Sequence, residues 1–280
     1  MLSSLWASEQ YRETTLGFRV KNILFKQRSN YQMVEILETF DWGNILMLDG
    51  LMMVTEKDEF FYHETIVHLP MALRPNIKNV MVVGGGDGGT VRELSKYASI
   101  ENIDMVEIDQ LVVEACKKHL PITSSKLDDK RVKIIFQDAF EFIKSAPKNH
   151  YDLIIADSSD PEGFAASLIE TDFYSMVKDS LKEDGLFAAQ SGSPLSQPKE
   201  LKASWSNLNK VFAHCEIAWS ITPTYPGAWW SFVVASGKEI KKPSIKEINS
   251  PKDCKFWQPE MLEALLCKPK FIMDILESKS

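Results

Sequence analysis

At 280 residues, with 44% apolar and 25% charged side chains, the chain has the composition of a soluble globular protein with room for one large α/β domain and a small appendage. A net charge of −7 and a pI near 5.4 argue against nucleic acid or an anionic membrane as partner and leave cationic small molecules as natural ligands. Four scattered cysteines without a C-x-x-C pair, the lack of an apolar leader before Trp6, and the lack of any run near the ~18 apolar residues of a membrane span predict a reduced, cytoplasmic, metal-free protein.

In chain order, residues 1–58 are expected to form a small N-terminal antiparallel β domain. Its strands are predicted at Leu16–Phe25, Tyr31–Leu37 and Asn44–Leu48, separated by the turn residues Arg28–Asn30, Asp41–Gly43 and Asp49–Gly50. Such a sheet cannot bury two faces alone, so a neighbour or a second subunit should cover it. From Asp58 the apolar period lengthens, and Phe60, Phe61, Ile66, Val67 and Leu69 predict one helix of several turns, ending at Pro70 and again at Pro75.

Strand and helix then alternate through residue 211. Strands are predicted at 80–83, 103–107, 132–136, 153–157 and 186–190, and helices at 90–97, 110–119, 140–146, 171–181 and 198–211. This pattern specifies a mostly parallel sheet covered on both faces. Strands at 214–219 and 229–235 are joined by too few residues for a crossover helix and should form an antiparallel edge pair. The expected fold class is therefore α/β: residues 59–280 form a Rossmann-like, methyltransferase-type catalytic domain.

The stretch Val80–Thr90 runs from a buried strand through five glycines into a helix start. Gly84, Gly86 and Gly89 match the G-x-G-x-x-G nucleotide fingerprint, in which glycines take positive φ or let a ligand approach the backbone. Glu107 follows Gly84 by 23 residues, near the spacing of a carboxylate that accepts both ribose hydroxyls. Asp87 sits among the loop's N–H donors, where a phosphate would face an anion, so a cationic or neutral ligand such as a sulfonium nucleoside is expected instead.

Asp138 and Ala139 end the third strand of this sheet. They suit an adenine edge, although Asp138 is equally placed to cap a helix. The Asp157-Ser158-Ser159-Asp160-Pro161 loop sets two carboxylates at the mouth of the same site, a conflict that a bound cation removes. Residues 162–169 read as a mobile lid. Read alone, His63, Tyr62 and Tyr225 are as well explained by packing as by function.

Taken together, Tyr31-Gln32, Asp49-Gly50, Thr55–Glu59, Tyr62–Glu64 with His68–Pro70, Gly84–Gly89, Val106–Asp109, Asp157–Pro161 and Thr224–Pro226 resemble the spermidine synthase family, the polyamine aminopropyltransferases. The resemblance implies an enzyme, a homodimer or homotetramer, that transfers an aminopropyl group from decarboxylated S-adenosylmethionine to putrescine without a cofactor. By the same comparison Gln32, Gly84, Gly86, Asp87, Glu107, Asp138 and Ala139 hold the donor. His63, Asp87 and Asp157, Ser158, Ser159 and Asp160 line the polyamine path, Asp157 is the proton acceptor, and Tyr62, Gln190 and Tyr225 sit beside the amine.

Two departures stand out. Gly163-Phe164 replaces a Gly-Pro expected near the donor, and Pro226-Gly-Ala replaces the more usual Pro-Ser-Gly at the amine end. Other acceptors (cadaverine, agmatine, 1,3-diaminopropane, spermidine), an S-adenosylmethionine-dependent methyltransferase and a non-catalytic polyamine-binding protein remain alternatives.

Overall fold

The computed structural model describes residues 5–11, 14–160 and 163–278, with the backbone alone at 10, 11, 163 and 164. Pro161, Glu162 and the Phe164 side chain expected at the donor lie outside the described residues.

Five strands, β1 (Leu5–Tyr11), β2 (Thr14–Arg28), β3 (Met33–Thr39), β4 (Asn44–Leu48) and β5 (Leu51–Thr55), form an antiparallel meander in chain order. The strands β1 and β5 go beyond the three expected. Leu51–Thr55 has a continuous apolar run rather than an alternating one, and only its pairing with β4 identifies it as a strand.

The chain continues through α1 (Glu59–Leu73), β6 (Asn79–Gly84), α2 (Gly89–Ser95), β7 (Asn102–Glu107), α3 (Gln110–His119), α4 (Pro121–Ser124), β8 (Val132–Phe136), α5 (Ala139–Ser145) and β9 (Tyr151–Asp157). A 3-10 helix at Gly163–Ile169 leads to α6 (Thr171–Ser180), β10 (Leu181–Gln190), α7 (Pro198–Val211), β11 (His214–Ile221), β12 (Trp229–Ser236), α8 (Met261–Leu266) and α9 (Lys270–Glu277). The described part of the expected lid is thus helical. Of the two expected ends, Pro70 does not stop α1, which runs on to Leu73 with that proline inside it and ends just before Pro75. Nearly the whole of α1 is buried, and that packing offsets the backbone hydrogen bond a proline cannot donate.

The second sheet has the order β11-β12-β10-β9-β6-β7-β8, parallel from β10 to β8, with β12 and β11 antiparallel at one edge. This is the Rossmann-like arrangement that the alternating pattern specified. Val80–Val83 at its centre are fully buried between two apolar layers, one built with α1, α2 and α8 and the other with α6, α7 and α9. Strand order reverses between β6 and β9, so the crevice of this sheet opens where their carboxyl ends meet.

The first sheet finds its neighbour within the same chain. Val34, Ile36, Leu46 and Val54 pack on Val112, Ala115, Cys116 and Leu120 of the α3 region, while Phe18, Val20, Leu37, Ile45, Met47 and Met52 form a separate cluster. Polar atoms latch the same junction. Asp109 caps α3 by accepting from the Leu111 N–H, and its other oxygen takes Ser29 Oγ at 2.7 Å and Gln32 Nε2 at 3.0 Å from the β2–β3 turn.

Candidate active site

The parallel register sets Gly84 beside Asp157, and the Gly85 N–H donates to the Asp157 carbonyl at 2.8 Å. The glycine loop and the acidic loop therefore leave the sheet side by side. Positive φ falls at Gly84, Gly85 and Gly88, so of the three fingerprint glycines only Gly84 needs it. Gly86 and Gly89 are required for a different reason. A Cβ at 86 would stand 3.0 Å from Glu107 Oε2, and one at 89 would stand 2.3 Å from the His63 ring.

A cavity of about 510 Å³ opens over these loops, between the two sheets. The third fingerprint glycine, Gly89, does not line it, while all fifteen residues expected to touch donor or acceptor do: Gln32 from the first sheet's turn; Tyr62 and His63 from α1; Gly84, Gly86 and Asp87 at the end of β6; and Glu107, Asp138 and Ala139 at the ends of β7 and β8. Asp157, Ser158, Ser159 and Asp160 after β9, with Gln190 and Tyr225, complete them. Seven carboxylates and a single imidazole line the cavity, and no lysine or arginine does, among the described residues. Crowded acids in a partly dry space raise one another's proton affinity unless a cation joins them.

Asp157 is the centre of the polar network. One carboxylate oxygen accepts from the Tyr62 hydroxyl at 2.8 Å, and the other accepts from Thr90 Oγ1 at 2.6 Å. Burial and then the charge of Asp87 raise its pKa, while His63 and the two hydroxyls act in the opposite direction. The outcome is a carboxyl group primed to hold a proton and, when it ionises, fixed in position by two donors.

His63 links two acids. Its Nδ1 lies 2.7 Å from Glu59, and its Nε2 lies 3.4 Å from Asp87. Burial disfavours the charged ring, but Asp87 and Glu59 outweigh it and hold His63 as an imidazolium. Glu59 in turn receives both terminal nitrogens of Arg92, at 2.9 and 2.8 Å. Burial alone would push the Glu59 carboxyl up; the His63 and Arg92 bonds instead bring it down to about 2. Asp87 also accepts the Gly89 N–H at 2.9 Å, so its carboxylate is held at the first turn of α2.

Around this centre, Glu107 is buried, and burial pushes its carboxyl up to about 7 even though it accepts the Asp109 N–H. Asp138 caps α5, accepting the Phe140 and Glu141 N–H groups, so both of its expected roles are geometrically open. Asp160 accepts from Gln197 at 2.6 Å, and Gln190 donates to the Ser158 carbonyl at 3.2 Å. Tyr225 donates to the Met53 carbonyl at 2.6 Å and packs its ring against Tyr62 and Trp230.

Sequence reasoning missed Thr90, Glu59, Arg92 and Asp109, and also the cavity-lining Glu9, Met52, Met53 and Trp230. For Thr90 a signal existed, since it directly follows the last glycine of the loop. Glu9 and Met52 carried none, because β1 and β5 were not recognised as strands.

Residues 59–245 match the spermine/spermidine synthase domain, and residues 5–56 match the spermidine synthase tetramerisation domain. The chain is 42% identical to a polyamine aminopropyltransferase of Alkaliphilus oremlandii, an alignment covering 98% of this chain and 99% of that one. A polyamine aminopropyltransferase of Clostridioides difficile is 47% identical, with 84% of each chain covered. Among solved structures, a spermidine synthase in complex with the transition-state analogue AdoDATO is 36% identical and superposes with a TM-score of 0.93 over 98% of this chain and 95% of that one. The spermidine synthase of Thermotoga maritima, also 36% identical, gives a TM-score of 0.92, covering 98% of this chain and 94% of that one.

Proposed function

The chain belongs to the spermidine synthase family of polyamine aminopropyltransferases and is a transferase enzyme, and from that premise we propose that it transfers the aminopropyl group of decarboxylated S-adenosylmethionine to putrescine. The observation that carries this reading is the cavity lining itself, which among the described residues is rich in acids and free of lysine and arginine, and so suits two cationic substrates and repels anionic ones.

In this reading the adenosine lies along Gln32, Gly84, Gly86, Glu107, Asp138 and Ala139, with the ribose hydroxyls donating to Glu107. The donor's own ammonium faces Asp87. The acceptor lies along Tyr62, His63, Ser158, Ser159, Asp160, Gln190 and Tyr225. Its reacting nitrogen arrives as an ammonium, because an alkylamine holds its proton until about pH 10. Asp157 takes one proton from it, which the raised pKa of this carboxyl group favours.

The freed lone pair forms the N–C bond to the propyl carbon while the C–S bond breaks. The bonding electrons pass to sulfur, the sulfonium becomes the neutral thioether of 5'-methylthioadenosine, and spermidine leaves with its new nitrogen protonated. One proton is released overall. Holding the two reactants in line is worth up to about 7–11 kcal/mol in ideal cases.

We read this chemistry as needing neither cofactor nor metal. His63, Asp87 and Asp157 do offer ligand atoms within 4.8 Å of one another, so undiminished transfer in EDTA is the required result. The four cysteines are unpaired, and among the described residues no helix is long and apolar enough to cross a membrane. We assign the enzyme to the cytoplasm and to a homodimer or homotetramer.

The test pairs two donors with a panel of amines. Methylthioadenosine should form with the decarboxylated donor and putrescine. Faster turnover of cadaverine, agmatine, 1,3-diaminopropane or spermidine would reassign the acceptor, methylation from intact S-adenosylmethionine would make the protein a methyltransferase, and binding without turnover would make it a polyamine-binding protein. Asp87→Asn should relax donor choice, because Asp87 would repel the carboxylate that only intact S-adenosylmethionine carries.

A further inference from the structure

We propose that His68, Glu93 and Cys254 form a structural Zn2+ site, apart from the transfer cavity, that pins the segment following β12 to α1 and α2. Ligand atoms of the three residues lie within 4.8 Å of one another, and none of the three lines the cavity. His68 and Glu93 are buried, and His68 Nε2 stands 2.9 Å from Glu93 Oε2 and 3.3 Å from Cys254 Sγ. In a tetrahedral zinc site, bonds of about 2.0–2.3 Å set neighbouring ligand atoms about 3.3–3.6 Å apart. The two separations at Nε2 are already close to that.

Hydrogen bonding alone does not account for this convergence. A ring nitrogen offers one hydrogen bond, as donor or as acceptor, yet Nε2 faces a carboxylate and a sulfur together. Burial pushes the Cys254 thiol up to about 12, so without a metal its sulfur stays protonated and is a weak partner for either neighbour. A metal ion replaces the contested hydrogen with a bond to each group, and thiolate, imidazole and carboxylate together are a donor set suited to zinc. The thiol proton passes to solvent. The imidazole keeps its one hydrogen on Nδ1, which lies 2.9 Å from the Tyr97 hydroxyl, the kind of outer partner that fixes a ligating ring. Cys254 is only half-buried, which leaves an entry path and room for water as fourth ligand.

Two cations already attend Glu93. Arg92 Nε holds Oε1 at 2.8 Å and can stay there, whereas Lys96 Nζ holds Oε2 at 2.8 Å and competes with the metal. Lys96 has another acceptor within reach, since its ammonium lies 3.7 Å from Asp253 Oδ2. The segment also docks without the metal, because the Lys255, Phe256 and Trp257 N–H groups bind Glu64 of α1. The metal therefore adds to a fold that already stands. Local spacing in the sequence carries no sign of the site, because Cys254 is 186 residues from His68.

Titration of the reduced, metal-stripped protein with Co2+ and with Zn2+ tests the assignment. Co2+ should produce a near-ultraviolet sulfur-to-cobalt charge-transfer band, and Zn2+ at about 100 times its Kd should raise Tm by about 3–10 °C. In Cys254→Ser the band should vanish and the Tm rise should shrink. Metal bound at His63, Asp87 and Asp157 meets no sulfur and gives no such band. Lys96→Met should bind Co2+ at least about threefold more tightly, because the competing cation is gone, a gain that a damaged fold does not produce.

Absence of the band in wild type, a band that survives in Cys254→Ser, or equal Zn2+-induced Tm rises in the two proteins would overturn the inference. Unchanged or weaker Co2+ affinity in Lys96→Met would overturn it as well. None of these readouts involves aminopropyl transfer, so this inference and the functional reading stand or fall separately.

Discussion

At Asp157 two hydroxyl donors hold a carboxylate whose environment favours its proton, and each contact has its own kinetic consequence. Asp157→Asn keeps the shape and cannot accept a proton, so kcat should fall by about 10²–10⁴-fold while donor affinity, measured by calorimetry, stays within about twofold because no transition-state contact is involved. Thr90 acts on the same group indirectly, and its hydrogen bond lowers the Asp157 pKa. In Thr90→Val that bond is lost and the pKa rises, so the acid limb of the kcat/KM profile should move to higher pH. A second titration concerns folding. The Glu107 carboxyl ordinarily loses its proton near 4.5, and in the folded protein near 7. Between these values the folded state binds more protons than the unfolded one, so this group's contribution to stability falls as pH rises. Glu107→Gln does not titrate, and urea melts from pH 5 to pH 8 should show the variant gaining on wild type by up to about 3 kcal/mol.

Among the elements, α1 and α2 meet where Gly89 faces the His63 ring. Gly89→Ala needs no unusual backbone angle but must displace that ring, which should cost about 1–3 kcal/mol in thermal melts and weaken transfer by moving His63 off Asp87. Gly237→Ala is the control, because the nearest atom to its Cβ would be 3.7 Å away and φ there is ordinary. Elements with a strong period were legible in the sequence, and α3, β8 and α7 lie where the pattern set them. The strand β5 lacked alternation, while α8 and α9 are short helices near the C-terminus. Motif residues that looked functional are partly architectural. Asp58 accepts Thr55 Oγ1 together with the Thr224 N–H and hydroxyl, and Glu64 accepts three consecutive N–H groups from Lys255, Phe256 and Trp257. Such knots join segments nearly 200 residues apart, and local spacing carries no trace of them. The cavity residues were legible for the opposite reason: the carboxyl ends of parallel strands converge wherever the strand order reverses.

Across the whole molecule, the first sheet leaves Leu5 at 52% exposure, Trp6 at 57%, Ile23 at 54% and Phe40 at 50%. Large apolar side chains this open on one small sheet mark an association surface. Light scattering after size exclusion should find a dimer or tetramer at micromolar concentration, and Ile23→Asp combined with Phe40→Asp should reduce the assembly.

The position of the cavity at the seam between the two sheets has a consequence for retargeting. Asp157, the glycine loop and Glu107 all belong to the second sheet, whereas Glu9, Met52 and Met53 come from the first. Exchanging the N-terminal meander with that of a relative should therefore alter the reach of the amine pocket and leave bond-making intact, as fitting a different gauge to the same tool changes what it measures and not how it cuts.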